Sequence, residues 1–232
     1  MATILPNSNE NATAAIPLEN GDCLSREEFY RRWEAMPNLK LAERIEGVVY
    51  MPAAIRHEQH GHPHSLVLGW LGHYVAETPG VDFGDNSSLQ IDADNDPQPD
   101  AYLFIRPEKG GQCRITEDGY LKGAPELIFE ISASSASRDL NQKKTVYRRN
   151  GVQEYAVWKV MENEIVWFQL DNGQYVEMSA NENGLFKSQV FPGLWLDDPA
   201  IRNSELKRVL TVQQTGCESA EHQKFVNQLA EK

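Results

Sequence analysis

The sequence predicts an α/β (α+β) fold in which a mixed sheet is flanked by helices. Short apolar segments typical of strands alternate with segments whose apolar residues recur at helical spacing. One predicted strand begins with an acid, the next carries an acid, and a helix and a further strand follow. No apolar run approaches the roughly 20 residues that a membrane-spanning helix needs. With 232 residues, the chain is long enough for one large domain or for one domain with extensions.

The N-terminal part predicts a helix, a hairpin and a second helix. Ser25 and Glu28 resemble a capping box, and apolar residues at helical spacing follow them up to Pro37. The segment AERIEGVVYMPA predicts two short strands or a hairpin that turns around Glu46. From Pro63 onward the pattern predicts a helix that ends at TPG. Its apolar stripe comprises Leu66, Val67, Trp70, Leu71 and Tyr74.

For the remaining chain, the sequence pattern predicts several strands and one more buried helix. VDFGDNSSLQID predicts a strand pair or a bent strand, and AYLFIRP and PELIFEIS predict single strands. Residues 137–150 predict a helix capped by Gly151, and EYAVWKV, EIVWFQL and QYVEMS predict three strands. EKGGQCRITEDGYLKG predicts a flexible excursion. We therefore expect a disordered leader over residues 1–20, one domain over residues 21–202 and a helical tail over residues 203–232.

Charge and cysteine content argue against several classes of protein. The net charge of −12 argues against broad non-specific nucleic-acid binding, because such binding relies on a basic surface. The basic residues between Arg138 and Arg149 form either a local basic patch or a solvated helix face. The 3 cysteines include no CxxC pair, so reduced thiols in a cytoplasmic protein are expected. The first residues lack the features of a signal peptide, and no membrane association is expected.

A carboxylate in the middle of a buried strand is the first chemical signal. Glu130 lies between Phe129 and Ile131, where an ionised carboxylate is unfavourable unless it is paired or binds a metal. Asp100 opens the preceding long strand, and alternation places it on one face with Tyr102. If the two strands are neighbours, the carboxylates can converge. Either one of them then stays protonated, or a divalent cation such as Mg²⁺ or Mn²⁺ lies between them.

Lys143 is the predicted partner of Glu130. On a helix that turns about 100° per residue, Lys143 falls inside the inward-facing arc, whereas Lys144 falls at its edge. A lysine on the core-facing stripe needs an anion, and Glu130 lies on the strand just before this helix. A purely structural Glu–Lys ion pair is the alternative. The inward side of the helix is defined by Leu140, Val146 and Tyr147.

Several motifs occur in a recognisable order: PQPDAYLFI, GYLKGAPELIFEIS, DLNQKKTVY, GVQEY and PGL, preceded by AERIEGVVYMP and a helix that begins near His64. Over residues 24–198 this pattern resembles the Uma2 family, also called DUF820, a branch of the PD-(D/E)XK nuclease superfamily. The resemblance implies a restriction-endonuclease-like mixed sheet with an N-terminal β-hairpin extension. It also implies a metal-dependent DNA endonuclease that hydrolyses phosphodiester bonds.

By this resemblance, Asp100 is the Asp of the nuclease motif and Glu130 is its (D/E). The superfamily places lysine two residues after the acid, where this chain has Ser132. The Uma2 pattern instead places a lysine on the following helix, and Lys143 matches it. The resemblance implies that Asp100 and Glu130 hold Mg²⁺ or Mn²⁺, while Lys143 orients the attacking water or neutralises the scissile phosphate.

Two further residues and two alternative functions are considered. Glu46 is a candidate additional acid or an ordinary hairpin residue, and His64 is a candidate site residue or a helix-entry residue. The histidines between His57 and His64 could instead bind Zn²⁺ or Ni²⁺, although Gly61 and Pro63 interrupt regular helical spacing. The other alternative is a catalytically silent nuclease fold that serves as a binding or regulatory module. A homodimer is expected, because strand edges after residue 154 would be free to pair.

Overall fold

The computed structural model of the protein describes residues 16–52, 54–133 and 135–232, in which short strands alternate with helices. The strands are β1 (Glu43–Ile45), β2 (Val48–Tyr50), β3 (Val81–Gly84), β4 (Leu89–Gln90), β5 (Ala101–Ile105), β6 (Arg114–Ile115), β7 (Leu121–Lys122), β8 (Leu127–Ser132), β9 (Glu154–Lys159), β10 (Glu164–Asp171), β11 (Gln174–Met178), β12 (Leu185–Lys187) and β13 (Trp195–Asp197). The helices are α1 (Arg26–Glu34), α2 (His62–Glu77), α3 (Ala136–Arg138), α4 (Lys144–Arg149), α5 (Asp198–Arg202), α6 (Leu206–Cys217) and α7 (Ala220–Ala230). A π-helical turn at His57–Gly61 leads into α2, and another at Asp139–Lys143 joins α3 to α4.

The central sheet has six strands in the order β11-β10-β9-β8-β5-β3. β8 and β9 run parallel, whereas the other neighbouring pairs are antiparallel. A parallel pair needs a crossover connection, and the helical segment from α3 to α4 supplies it. The predicted mixed sheet flanked by helices is therefore confirmed. β8, which contains Glu130, and β5, which directly follows Asp100, are neighbours.

Different elements cover the two faces of this sheet. On one face, Leu127 and Phe129 of β8 belong to the same core as the apolar stripe of α2. On the other face, Ile128 packs with Tyr147 of α4 and Ile45 of β1. Because successive side chains of a strand point to opposite faces, the acid of β8 is directed toward α4 and the hairpin. Full burial of one large apolar side chain contributes about 1.5–3 kcal/mol, so the α2 face is strongly stabilised.

The β1–β2 hairpin is anchored to the loop that precedes β5. Its turn residues Glu46 and Gly47 have φ angles of 53° and 75°, the left-handed values that a tight hairpin turn requires and that glycine adopts readily. Arg44 of β1 is buried, and its guanidinium lies 2.7 Å from the carboxylate of Asp96. The same guanidinium donates to two backbone carbonyls. These bonds fix the position of β1 over the sheet.

The structure departs from the sequence prediction in several segments. The predicted flexible excursion contains β6 and β7, which form a three-stranded sheet with β4. The sequence pattern did not predict β12 and β13, because a strand of three residues is too short to show a recognisable periodicity. Residues 203–232 contain α6 and α7, and their Val209 and Leu229 are buried in the same core as α2. Residues 1–15 of the predicted leader lie outside the described residues, while Leu18 is buried against the hairpin.

None of the helices in the described part of the chain is both long enough and apolar enough to cross a bilayer.

Candidate active site

The register between β5 and β8 places Asp100 opposite Glu130. Ala101 pairs with Phe129, and the next residue outward on each strand gives the Asp100–Glu130 pair. The Asp100 carboxylate also accepts a hydrogen bond from the backbone N–H of Ile131 at 2.7 Å. The structure therefore brings together the two acids that the sequence pattern selected.

His60 holds the Asp100 carboxylate from its other side. The His60 Nε2 atom lies 2.9 Å from Asp100 Oδ1, and His64 Nε2 lies 2.6 Å from the Asp100 carbonyl oxygen. Burial opposes ionisation of Asp100, but the His60 bond, the nearby Lys143 charge and the Ile131 N–H together lower its pKa. The bond to Asp100 in turn raises the pKa of His60. Asp100 is thus held as a carboxylate.

Glu130 and Lys143 form a buried ion pair. The Lys143 Nζ atom lies 2.8 Å from Glu130 Oε1, and each side chain is 4% exposed. The Tyr147 hydroxyl donates to the same oxygen at 2.9 Å. Lys144, by contrast, is half-buried with its Nζ 3.4 Å from the centroid of the Phe168 ring. The structure therefore brings Lys143, and not Lys144, to the predicted acid.

A single ammonium serves several carboxylates in this cluster. Lys143 Nζ lies 3.0 Å from Glu43 Oε2 and 3.9 Å from Asp139 Oδ1. Burial opposes the charge on Lys143, but the surrounding carboxylates raise its pKa well above the usual value. Burial raises the pKa of Glu130 well above its usual value; the Lys143 charge opposes this shift and Asp100 adds to it. The cluster therefore has more acids than cations available to pair with them.

Two π-helical turns direct side chains into the site. A π-helical turn is wider than an α-helical turn, and such turns occur frequently at functional sites. In the turn at Asp139–Lys143, both terminal side chains are buried in the cluster. The turn at His57–Gly61 carries His60. The sequence contains no direct signal for either turn: residues 139–143 fall inside a predicted regular helix, and residues 57–61 precede the helix predicted from Pro63 onward.

Glu43 is a site residue that sequence reasoning missed. Its carboxylate bridges Lys143 and Arg138, with Arg138 Nη2 lying 3.2 Å from Glu43 Oε1. Strand alternation could have found it, because Glu43 shares a face of β1 with Ile45, which is fully buried. The hairpin therefore supplies an acid to the site, but from the strand and not from the turn.

Glu46 and part of the histidine cluster lie elsewhere. Glu46 is exposed at the hairpin turn, where its Oε1 lies 2.7 Å from Arg149 Nη1. The histidines divide into two pairs: His60 and His64 contact Asp100, whereas the rings of His57 and His62 lie 5.7 Å apart, outside these contacts. The structure does not bring the four histidines together. Among residues 16–52, 54–133 and 135–232, no three His, Cys, Asp or Glu side chains are arranged to hold a metal ion as they stand.

A cleft of about 620 Å³ opens onto the charged cluster. It is lined by the acids of the sheet and by Lys143, and also by residues of β1, of the segment 54–60 and of the segment that begins at Ser135. The titratable side chains among its lining residues are Glu43, Arg56, His60, Asp100, Glu130, Arg138 and Lys143.

The sequence matches the model of a known family. The model of the Uma2 family, which carries the description "Putative restriction endonuclease", matches residues 26–199. This chain belongs to the Uma2 family. The match covers both acids, Lys143, Glu43 and the histidine segment, and it includes all the strands of the central sheet.

A solved structure supports the fold of this Uma2 protein. The crystal structure of a "putative nuclease belonging to DUF820" from Anabaena variabilis is similar with a TM-score of 0.54. The sequences are 13% identical, and the similarity covers 79% of this chain and 97% of that chain. At this identity the likeness shows the fold. No curated protein matches the sequence.

The Uma2 chain has a serine where the wider superfamily pattern has its lysine. Ser132 lies two residues after Glu130 on β8, and its Oγ is 3.2 Å from Ser135 Oγ. Lys143 reaches Glu130 from the crossover helix instead. An ammonium therefore lies next to the second acid, although a different element supplies it.

The donor chemistry of the cluster fits a hard divalent cation. Glu43, Asp100 and Glu130 offer carboxylate oxygens, the ligand type that Mg²⁺ and Mn²⁺ prefer. The excess of acids over paired cations would be relieved by an added positive charge. In the described structure Lys143 lies between Glu43 and Glu130, so the ammonium now fulfils part of that role.

Proposed function

We propose that this Uma2 protein is a Mg²⁺-dependent DNA endonuclease, with Mn²⁺ as an alternative metal. The observation that carries the proposal is the direct adjacency of Asp100 and Glu130 beside a buried, charged Lys143 at the floor of one cleft. Perturbed acids that share a cleft with a cation are typical of catalytic sites. Membership of a family described as restriction endonucleases supports the same reaction class.

Each side chain has a definite role in this mechanism. Asp100 and Glu130 would hold the metal, which when bound lowers the pKa of a water molecule and polarises the scissile phosphate. Lys143 offers a positive charge to the phosphate or orients the attacking water. His60 and the Ile131 N–H keep Asp100 ionised and fixed in position. We assign Glu43 to the positioning of Lys143, since its carboxylate holds the ammonium from the hairpin side.

Nicking of a supercoiled plasmid tests this function. We expect the wild-type protein to nick DNA with Mg²⁺ or Mn²⁺ but not with EDTA, and we expect Asp100→Ala to lose this activity. Asp82→Ala is the matched control, because Asp82 is a partly exposed acid on the edge strand β3, where it pairs with Phe104 near the opposite end of β5 from Asp100. Titration calorimetry with Mn²⁺ provides a readout that is independent of turnover. Absence of cleavage of both the plasmid and a single-stranded oligonucleotide by the wild type, or equal cleavage by Asp100→Ala, would remove the proposal.

The second candidate is a catalytically silent nuclease fold that acts as a binding module. It is favoured by the bonds that the acids already make: both Asp100 oxygens and Glu130 Oε1 have partners within the cluster. Metal binding without nicking would support it.

Homodimerisation also stays a prediction, and the edge strand β11, which in the described residues pairs only with β10, is the candidate contact. Light scattering on the purified chain measures the oligomeric state.

A further inference from the structure

A second cleft of about 560 Å³ adjoins the active cleft. The two clefts share Pro52, Ser135 and Arg138 in their walls, so a ligand strand could run from one into the other. The second cleft is lined in addition by Tyr50 at the end of β2 and by polar residues of the Asp139–Lys143 turn. The proposed mechanism uses none of these additional side chains.

A flat stacking surface lies at the junction of the two clefts. The Arg138 guanidinium carbon lies 4.7 Å from the centroid of the Tyr50 ring. Nucleobases stack on aromatic rings and on arginine planes, and this contact contributes about 1–3 kcal/mol per base with little dependence on sequence. Arg138 Nε is buried and, within the part of the chain that the structure describes, makes no hydrogen bond.

Amide groups lie beside the stacking surface. Gln142 Oε1 is 3.3 Å from the Tyr50 hydroxyl, and Asn141 Nδ2 donates to a backbone carbonyl at 2.6 Å. Both side chains are exposed on the cleft and keep further donor or acceptor capacity. Amides of this kind hydrogen-bond base edges. The second cleft thus combines a stacking surface with hydrogen-bonding groups.

The reacting groups are buried. The side chains of Glu130 and Lys143 are 4% exposed and that of Asp100 is 14% exposed. In a duplex the bases stay stacked and paired, so no base is free to enter the second cleft while a neighbouring phosphate approaches these groups. A single strand can enter such a cleft with one base turned out of the stack, which is easiest where the base is already unpaired.

We propose that Tyr50, Arg138, Asn141 and Gln142 form a base-binding subsite, and that the substrate is therefore single-stranded or locally unpaired DNA. The proposal rests on the proposed nuclease function, because the subsite places an unstacked base next to the phosphate that reaches Asp100 and Glu130. The excess negative charge of the chain is consistent with it, since stacking depends less on a basic surface than duplex-backbone binding does.

Fluorescence anisotropy in EDTA tests binding separately from cleavage. We expect the wild-type protein to bind a labelled single-stranded oligonucleotide at least about tenfold more tightly than the same sequence in a duplex. Tyr50→Ala should weaken single-strand binding by roughly fivefold to a hundredfold, whereas Tyr50→Phe, which keeps the ring, should stay within about twofold of wild type. Val176→Ala, an exposed change on the edge strand β11, is the matched control and should have no effect.

Cleavage of the same oligonucleotides with Mn²⁺ separates this proposal from the function on which it rests. Preferred cleavage of the single strand, or of a duplex at an unpaired bulge, supports both. Equal binding and cleavage of intact duplex overturns the subsite proposal and leaves the nuclease function standing. Tight single-strand binding without any cleavage overturns the nuclease function and supports the subsite. Thermal melting of each Tyr50 variant shows whether it is folded, and the wild-type comparison of strand types needs no variant.

Discussion

Two clusters of buried charge lie on opposite sides of strand β1. Glu43 and Arg44 are consecutive residues, and alternation directs them to opposite faces of the strand. Arg44 enters a cluster with Asp96 and Arg26, in which the Asp96 carboxylate receives a guanidinium on each oxygen. Glu43 enters the cluster around Lys143. The first cluster joins the hairpin to the fold, and the second lines a cleft.

The two clusters differ in how well their charges are matched. Every guanidinium nitrogen of Arg44 has an acceptor, from Asp96 or from a backbone carbonyl. Around Lys143, by contrast, the carboxylates of Glu43, Glu130 and Asp139 share one ammonium. Buried charges are stabilising only when their partners are complete. The comparison therefore separates a fully paired ion cluster from the cluster to which we assign the proposed catalysis.

Removal of Asp96 should give the largest effect, and it should be an effect on stability. Asp96→Ala leaves Arg44 buried without its anion, and an arginine cannot relieve this by losing its proton. We expect the free energy of unfolding to fall by about 3–5 kcal/mol, measured by urea denaturation. Asp82→Ala is the matched control, because Asp82 forms an exposed ion pair with Arg106 and should lose less than about 1 kcal/mol. Equal losses in the two variants would contradict the structural role of the Arg44 cluster.

Removal of Lys143 should affect activity more than stability. Lys143→Met takes away the one ammonium at Glu130, and DNA cleavage should fall at least about a hundredfold. The stability loss should stay below that of Asp96→Ala, because Glu130 can take up a proton once its cation is gone. Plasmid nicking and urea denaturation measure the two effects. Lys144 is the adjacent lysine outside the cluster, so the Lys144→Met variant should cleave DNA like the wild type. An equal loss of cleavage in both variants would contradict a specific role for Lys143.

The free energy of unfolding should depend on pH through the proton that Glu130 binds. Burial raises the pKa of Glu130, so the folded chain holds this proton more strongly than the unfolded chain does. The resulting stabilisation is complete below the unfolded value, near 4.5, and is lost as the pH rises through the raised folded value. Relative to Glu130→Gln, the wild type should therefore lose up to about 1.4 kcal/mol of unfolding free energy per pH unit within that window. Urea denaturation from pH 4.5 to pH 8 tests this, and parallel profiles of the two proteins would contradict it.

Local periodicity was enough to predict the floor of the site. The acid inside an apolar strand, the acid at the start of its neighbour and the lysine on the inward face of the next helix all follow from periods of 2 and 3.6 residues. The structure brings Asp100, Glu130 and Lys143 together accordingly. These residues lie on adjacent elements, so short-range rules sufficed to place them.

The walls of the site could not be predicted in the same way. His60 reaches Asp100 from a π-helical turn, and a wide turn changes side-chain direction without a characteristic residue pattern. Glu43 depends on how the hairpin lies on the sheet, which the remote Arg44–Asp96 contact fixes. The sequence analysis selected Glu46 from the hairpin AERIEGVVYMP, whereas Glu43 is the acid of this hairpin that contacts Lys143. Glu43 could have been selected because it lies on the same face of β1 as Ile45, which is buried.

The smallest expected effect is that of Glu46. Its carboxylate makes an exposed ion pair with Arg149, and both side chains are more than a third exposed. Glu46→Gln should therefore leave nicking unchanged and alter stability by less than about 1 kcal/mol.

Glu43→Gln should lower nicking by about tenfold, because Lys143 and Arg138 lose the anion that positions them. If Glu46→Gln reduced activity and Glu43→Gln did not, the turn of the hairpin and not strand β1 would face the substrate.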